Sequence, residues 1–268
     1  MTTTVVDRVH PRRRTAWMAA SALLLGTVAC ETVLPFAGRL LATAVGNYDP
    51  KYGKLVEDLT AALRKQPSDG RTAAETPLKL EVALLRQEDH GDQVVPAAMA
   101  NGEELHWRGN LEDSDRFKIF FRPSAACYVY VVLVDSTGFV QVLHPETGVG
   151  QSTRAGAETF LPPGPLDQAY AVDEHLGVET IYFVAARERR LDLEHALQPF
   201  IGRQRPTLSD PRHVTSLEDD FIELGVASRQ AGDTAQVQVG DGRAQFDTQA
   251  FLEAAGSALV LTRWFEHR

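Results

Sequence analysis

The sequence predicts a mainly β protein: an antiparallel, immunoglobulin-like β-sandwich with a few peripheral helices. Three observations carry this expectation. Apolar residues alternate with period two at 78–84 and 117–121, the spacing of a strand with one buried face. The run from Cys127 to Val134 is apolar on both faces, as in a central strand covered from each side. Turn residues separate seven or eight such runs, and no strand-helix alternation appears, which argues against a doubly wound sheet.

The elements follow in order. Asp49-Pro50 reads as an N-cap with proline at the first helical position, and Leu55, Leu59, Ala62 and Leu63 recur on one face, so a short amphipathic helix is expected over 50–64. Gln66 to Thr76 is polar and holds Pro67 and Gly70, the composition of a linker. The sandwich domain is expected over 77–268. Leu78, Leu80, Val82 and Leu84 share one strand face, and Phe117, Ile119 and Phe121 share another. Asp135-Ser136-Thr137-Gly138 supplies a turn after 127–134, and apolar character resumes at 139–143, making a hairpin. Further strands are expected at 158–161, 180–185, 235–239 and 258–265. Pro162-Pro163-Gly164-Pro165 cannot extend a ladder and must be a loop. Helical insertions are expected around 190–256, at 192–200, 216–224 and 248–255.

Composition bounds the function. With 268 residues, 44% of them hydrophobic and 24% charged, the chain can bury a large core and is neither disordered nor fibrous. A formal charge of -9 argues against nucleic acid as a partner, since such binding needs clustered Lys and Arg. Two cysteines exclude a disulfide scaffold and a four-thiolate zinc site.

The first thirty residues carry an address. Arg8, Arg12, Arg13 and Arg14 precede an uncharged run from Thr15 to Ala29, the n-region and h-region of an export signal over 1–29. Fifteen helical residues rise roughly 22 Å, short of the roughly 30 Å hydrocarbon core of a bilayer. Thr27-Val28-Ala29-Cys30 resembles the lipobox of bacterial lipoproteins, with Thr27 where leucine is usual. That resemblance implies lipidation of Cys30 as the mature N-terminus, and hence attachment to a membrane through acyl chains, palmitate among them. Uncleaved anchoring and plain secretion are the competing readings. Removing Met1 to Ala29 takes away four Arg and one Asp and moves the net charge from -9 to -12, so the mature surface repels anionic lipid. Glu31 after the cysteine carries no retention signal of the aspartate type, which favours the periplasmic face of the outer membrane.

Candidate chemistry is sparse. Cys127, His144 and Asp135 lie near one another through the hairpin and could make a cysteine-type triad, but Cys127 begins an apolar strand with no helix N-terminus to activate it. Gly148-Val149-Gly150 resembles a phosphate loop without the following helix and lysine. The acids at 112, 113, 115 and 218–220 could serve glycoside hydrolysis or calcium, yet adjacent acids in polar loops are ordinarily solvated surface, and the histidines are scattered without ligand spacing. No catalytic residue, metal or cofactor is expected. Phe139, Arg263, Trp264 and Phe265 are candidate interface residues, with strand packing as the competing role.

Arg116-Phe117-Lys118-Ile119, Tyr128-Val129-Tyr130-Val131, Asp135-Ser136-Thr137-Gly138 and Val142-Leu143-His144-Pro145 occur in that order, followed by Leu161-Pro162-Pro163 and Gly177-Val178-Glu179-Thr180-Ile181. This series resembles a bacterial domain of unknown function numbered 4384, over roughly 103–190. The resemblance implies a fold found in envelope proteins or fused to signalling and protease-like domains, with no catalytic set assigned. The functional expectation is therefore a membrane-anchored envelope lipoprotein acting as a non-catalytic binding or assembly module with a protein partner. The alternatives are an envelope cysteine hydrolase using Cys127 and His144, or a sensor partner of an envelope protease or kinase.

Overall fold

A computed structural model describes residues 77–89, 94–135, 138–203, 234–239, 244–252 and 258–268, together with helical residues 54, 58, 59, 61 and 62. The export segment, Cys30, the linker over 66–76 and the expected helix at 216–224 lie outside the described residues. None of the described helices is long and apolar enough to cross a membrane.

The described residues form two sheets. The first has the order β11-β12-β1-β4-β8, built from β1 (Lys79–Asp89), β4 (Arg116–Pro123), β8 (Thr159–Leu161), β11 (Thr234–Val239) and β12 (Ala244–Leu252). Short strands β2 (Val94–Ala98) and β9 (Tyr170–Ala171) add to β1 and β4. The second has the order β3-β13-β10-β5-β6, built from β3 (Glu104–Leu105), β5 (Cys127–Val134), β6 (Val140–His144), β10 (Gly177–Ala186) and β13 (Leu259–His267), with β7 (Ser152–Thr153) pairing β5. Among the described strands every pairing is antiparallel except β3 with β13.

Period-two alternation becomes layers. Leu80, Val82 and Leu84 of β1 and Phe117, Ile119 and Phe121 of β4 pack against Val129, Val131 and Leu133 of β5, Ile181 and Phe183 of β10, and Leu261 and Phe265 of β13. This is the inter-sheet core. β5 is apolar on both faces because its other face is also covered: Tyr130, Val132 and Val134 lie under helix α1 (Leu191–Leu197), with Leu193, Leu197 and Phe200. Leu59 belongs to the same cluster and Ala62 packs against it, so the N-terminal helix meets the sandwich through these residues. On the outer face of the first sheet, Ala83, Leu85, Phe120, Val237 and Phe246 form a third cluster.

One expectation is corrected. Residues 248–252, expected to be helical, continue β12; Phe246, Thr248 and Ala250 are buried while Gln245, Asp247 and Gln249 are exposed, the period-two pattern of a half-covered strand. Tyr130 is wholly buried, its hydroxyl covered by α1.

Candidate functional site

The ladder between β10 and β13 ends at the pair Gly177 and His267, two residues beyond Glu179 opposite Phe265. Residues two apart on a strand share a face, so Glu179, Phe265 and His267 all turn toward the space between the sheets. Phe117 and its cross-strand neighbour Tyr170 face them from the other sheet. Phe117 stacks at 4.9 Å from Phe265 and 5.5 Å from Tyr170, ring centre to ring centre. Where these rings end, the sandwich opens into a cleft of about 180 Å³. Leu133, Leu143 and Val172 complete its apolar wall, while Gln141 and Asp173 stand at its solvent side.

The polar groups of the cleft are unusual for such a core. Glu179 and His267 are both buried, with His267 at 2% exposure. Nδ1 of His267 lies 3.5 Å from Oε1 of Glu179, a long contact. Glu179 is the neighbour that Nδ1 faces, and the contact sets the orientation of the ring in the cleft wall. Its Nε2 is buried and has no partner among the described residues. Among the described lining residues the carboxylates are Asp173, which accepts from the His175 N–H at 2.8 Å, and Glu179. Burial, helped by Glu146, pushes the Tyr170 hydroxyl up to about 12, so it stays a neutral donor.

A second polar centre lies under α1. Glu194 accepts from the Tyr130 hydroxyl at 2.8 Å, the Gly150 N–H at 3.0 Å and Arg189 Nε at 2.9 Å. Arg189 holds its carboxyl below the ordinary range against the opposing effect of burial. The Tyr130 hydroxyl also accepts from the Arg190 N–H at 3.1 Å, and Arg190 Nη2 donates to Ala62 O at 2.7 Å. This node staples β5, the 145–151 loop, α1 and the N-terminal helix together. The glycine-rich loop thus binds the protein's own carboxylate. A Cβ at Gly150 would stand 2.5 Å from the Tyr130 hydroxyl, which is why glycine sits there.

Other residues singled out from sequence find their places. Cys127 is buried in the inter-sheet core and pairs with Thr153, whereas His144 pairs with Val131 four residues along β5. Four residues of strand span roughly 13 Å, so the fold does not bring thiol and imidazole together. A bulge in the β5–β6 pairing turns His144 inward against Phe121, ring centres 5.3 Å apart, and burial lowers its proton affinity. Asp115 is tied to the His106 N–H at 3.0 Å and Arg108 at 3.1 Å, and Asp113 accepts from Asn110. Among the described residues no group of three metal-ligating side chains forms.

The interface candidates separate. Phe265 is wholly buried against Phe117, so its side chain is a core element. Arg263 is buried as well, donating to Met99 O at 2.7 Å and to the Gln249 side chain; burial lowers its affinity for protons to about 10, opposed by Glu103. Trp264 is half-buried with its ring against Gly102, and Phe139 is half-buried beside Asp135.

Glu179, His267 and Tyr170 were not singled out from sequence. A signal existed: Glu179 keeps register with Ile181 and Phe183, and His267 with Phe265 and Leu261, so two titratable groups stand at core-facing positions.

Residues 110–189 match the family model described as a domain of unknown function, DUF4384. The match runs from before β4 to just past β10, so it contains most of the cleft wall but not Phe265 or His267. No curated protein and no solved structure matches the chain.

Proposed function

Taking residues 110–189 as the DUF4384 segment of a larger sandwich, we propose that this chain is a lipid-tethered protein of the bacterial cell envelope whose sandwich is a non-catalytic binding or assembly module. Cys30 carries the acyl chains, the export segment over 1–29 is removed, and the periplasmic face of the outer membrane is the preferred site. The arginine-led apolar run and the small residues before Cys30 support the tether.

The observation that carries the binding role is the cleft between the sheets. It has the attributes of a small-molecule site: concave, walled by aromatic and aliphatic side chains, with a few polar groups aimed across it. The separation of Cys127 from His144 along β5 supports a binding role over the cysteine-hydrolase reading.

Fractionation of the native host tests the tether. The wild-type chain is expected in the membrane fraction and released by detergent, while Cys30→Ser shifts to the soluble fraction with its fold intact by circular dichroism. Equal distribution of the two would remove the tether from the reading.

A further inference from the structure

The sequence holds three asparagines, at 47, 101 and 110, and of these Asn101 is the one followed by glycine. A glycine after asparagine has no side chain to shield its amide nitrogen, which can then attack the neighbouring side-chain carbonyl. Asn101 is exposed, in a turn where the Glu103 N–H donates to Ala100 O. Gly102 has a φ of +80°, and a Cβ there would stand 2.6 Å from the Trp264 ring, so the fold itself demands the glycine that makes the pair reactive.

Both reacting groups are engaged across the junction with β13. The Gly102 N–H donates to Trp264 O at 3.1 Å, and Asn101 Oδ1 accepts from the Trp264 N–H at 3.1 Å. Further bonds hold the same segment: Arg263 Nη2 donates to Met99 O at 2.7 Å, the Ala100 N–H to Glu103 Oε1 at 3.0 Å, and the Glu266 N–H to Glu103 O at 2.9 Å. Attack by the Gly102 nitrogen on Asn101 Cγ requires both Trp264 bonds to release.

We propose that Asn101 is a site of spontaneous deamidation governed by this junction, silent while the 99–105 segment is paired with β13 and reactive when the two part. Base removes the Gly102 amide proton, the nitrogen attacks Asn101 Cγ, and the side-chain nitrogen leaves as ammonia with a proton returned from water. The product of that step is a succinimide ring. Water then adds at either ring carbonyl and gives aspartate or isoaspartate, with one negative charge gained and no oxidant or reductant involved. Isoaspartate adds a methylene to the main chain just before Gly102, which displaces Glu104 and Leu105 from their register with Glu266 and His267. The modification therefore loosens the junction that held it off, and through His267 the change reaches the wall of the cleft.

The test is peptide mapping by mass spectrometry on the full chain stored in mildly alkaline buffer, with and without unfolding urea. It reads the mass gained when an amide becomes an acid and separates the two isomers. Asn101 is expected to convert at least about tenfold faster in urea than in the folded chain, with Asn110, which precedes Leu111, lagging behind it in urea. Glu103→Ala removes one support and leaves Asn101 and Gly102 intact; it is expected to speed conversion in the native chain while circular dichroism is unchanged. The converted wild-type chain is expected to exchange the Gly102, Glu266 and Arg268 amide protons faster than the fresh one. Equal rates with and without urea, or a Glu103→Ala chain no faster than wild type, would overturn the control by the junction. Conversion of Asn101 in urea no faster than that of Asn110 would overturn the site itself.

Discussion

Glu194 is a single carboxylate that accepts from three separate stretches of chain, through Tyr130, Gly150 and Arg189. Its folded-state proton affinity is lowered, with Arg189 as the largest cause. A depressed carboxylate contributes stability that is present above the unfolded value and is lost as pH falls through the folded one. Glu194→Gln, which keeps the shape and removes the charge, is therefore expected to cost about 1–3 kcal/mol in urea unfolding at neutral pH. The gap to wild type should narrow as pH drops below 4.5, the ordinary value. A gap that stayed constant into acid would show that the ionisation of Glu194 is not what the variant loses. None of this is legible in sequence, where Glu194 is one acid in a short helical stretch. Its burial follows from the helix lying flat on β5, a tertiary fact.

Lys118 shows how an element can recruit a charge. The alternation of Phe117, Ile119 and Phe121 is plain in the sequence and assigns Lys118 to the opposite, outer face of β4. That face is not solvent. The loop after β8 folds across it, and the Lys118 ammonium, fully buried, donates to Pro162 O at 2.8 Å, Pro165 O at 3.0 Å and Gln168 O. Prolines offer carbonyls and no N–H, so a loop rich in them needs an outside donor to satisfy its acceptors. Lys118→Met keeps the stem packed and removes the donor. Faster amide exchange at Gln168 and readier proteolysis of 162–168 are expected, with about 1–3 kcal/mol lost in stability. Unchanged protection would mean the loop is held by Leu166 and its apolar neighbours instead. Strand β12 teaches the complementary lesson. Thr248 to Leu252 has enough Ala, Gln and Leu to suit a helix, and pairing with β1 and β11 overrides that preference.

At the scale of the whole molecule, the sandwich was legible because its two inner faces write period two into the chain. The runs of β1, β4 and β5 locate the core from their spacing alone. The cleft was not legible, since its walls come from strands as distant as β4 and β13, and only the fold puts Phe117 beside Phe265. The proposed tether rests on the first thirty residues, and the proposed site on the open end of the sandwich. The last strand is essential to that site, because His267 and Phe265 lie outside the DUF4384 match and make the cleft a feature of the whole sandwich.

The measurement that bears most directly on the tethered binding module is mass spectrometry of the N-terminal peptide from protein purified out of its native membrane in detergent. The expected peptide begins at Cys30 and carries the mass of its acyl chains. A native protein that begins at Met1 and is recovered unacylated from the cytosol would contradict the account.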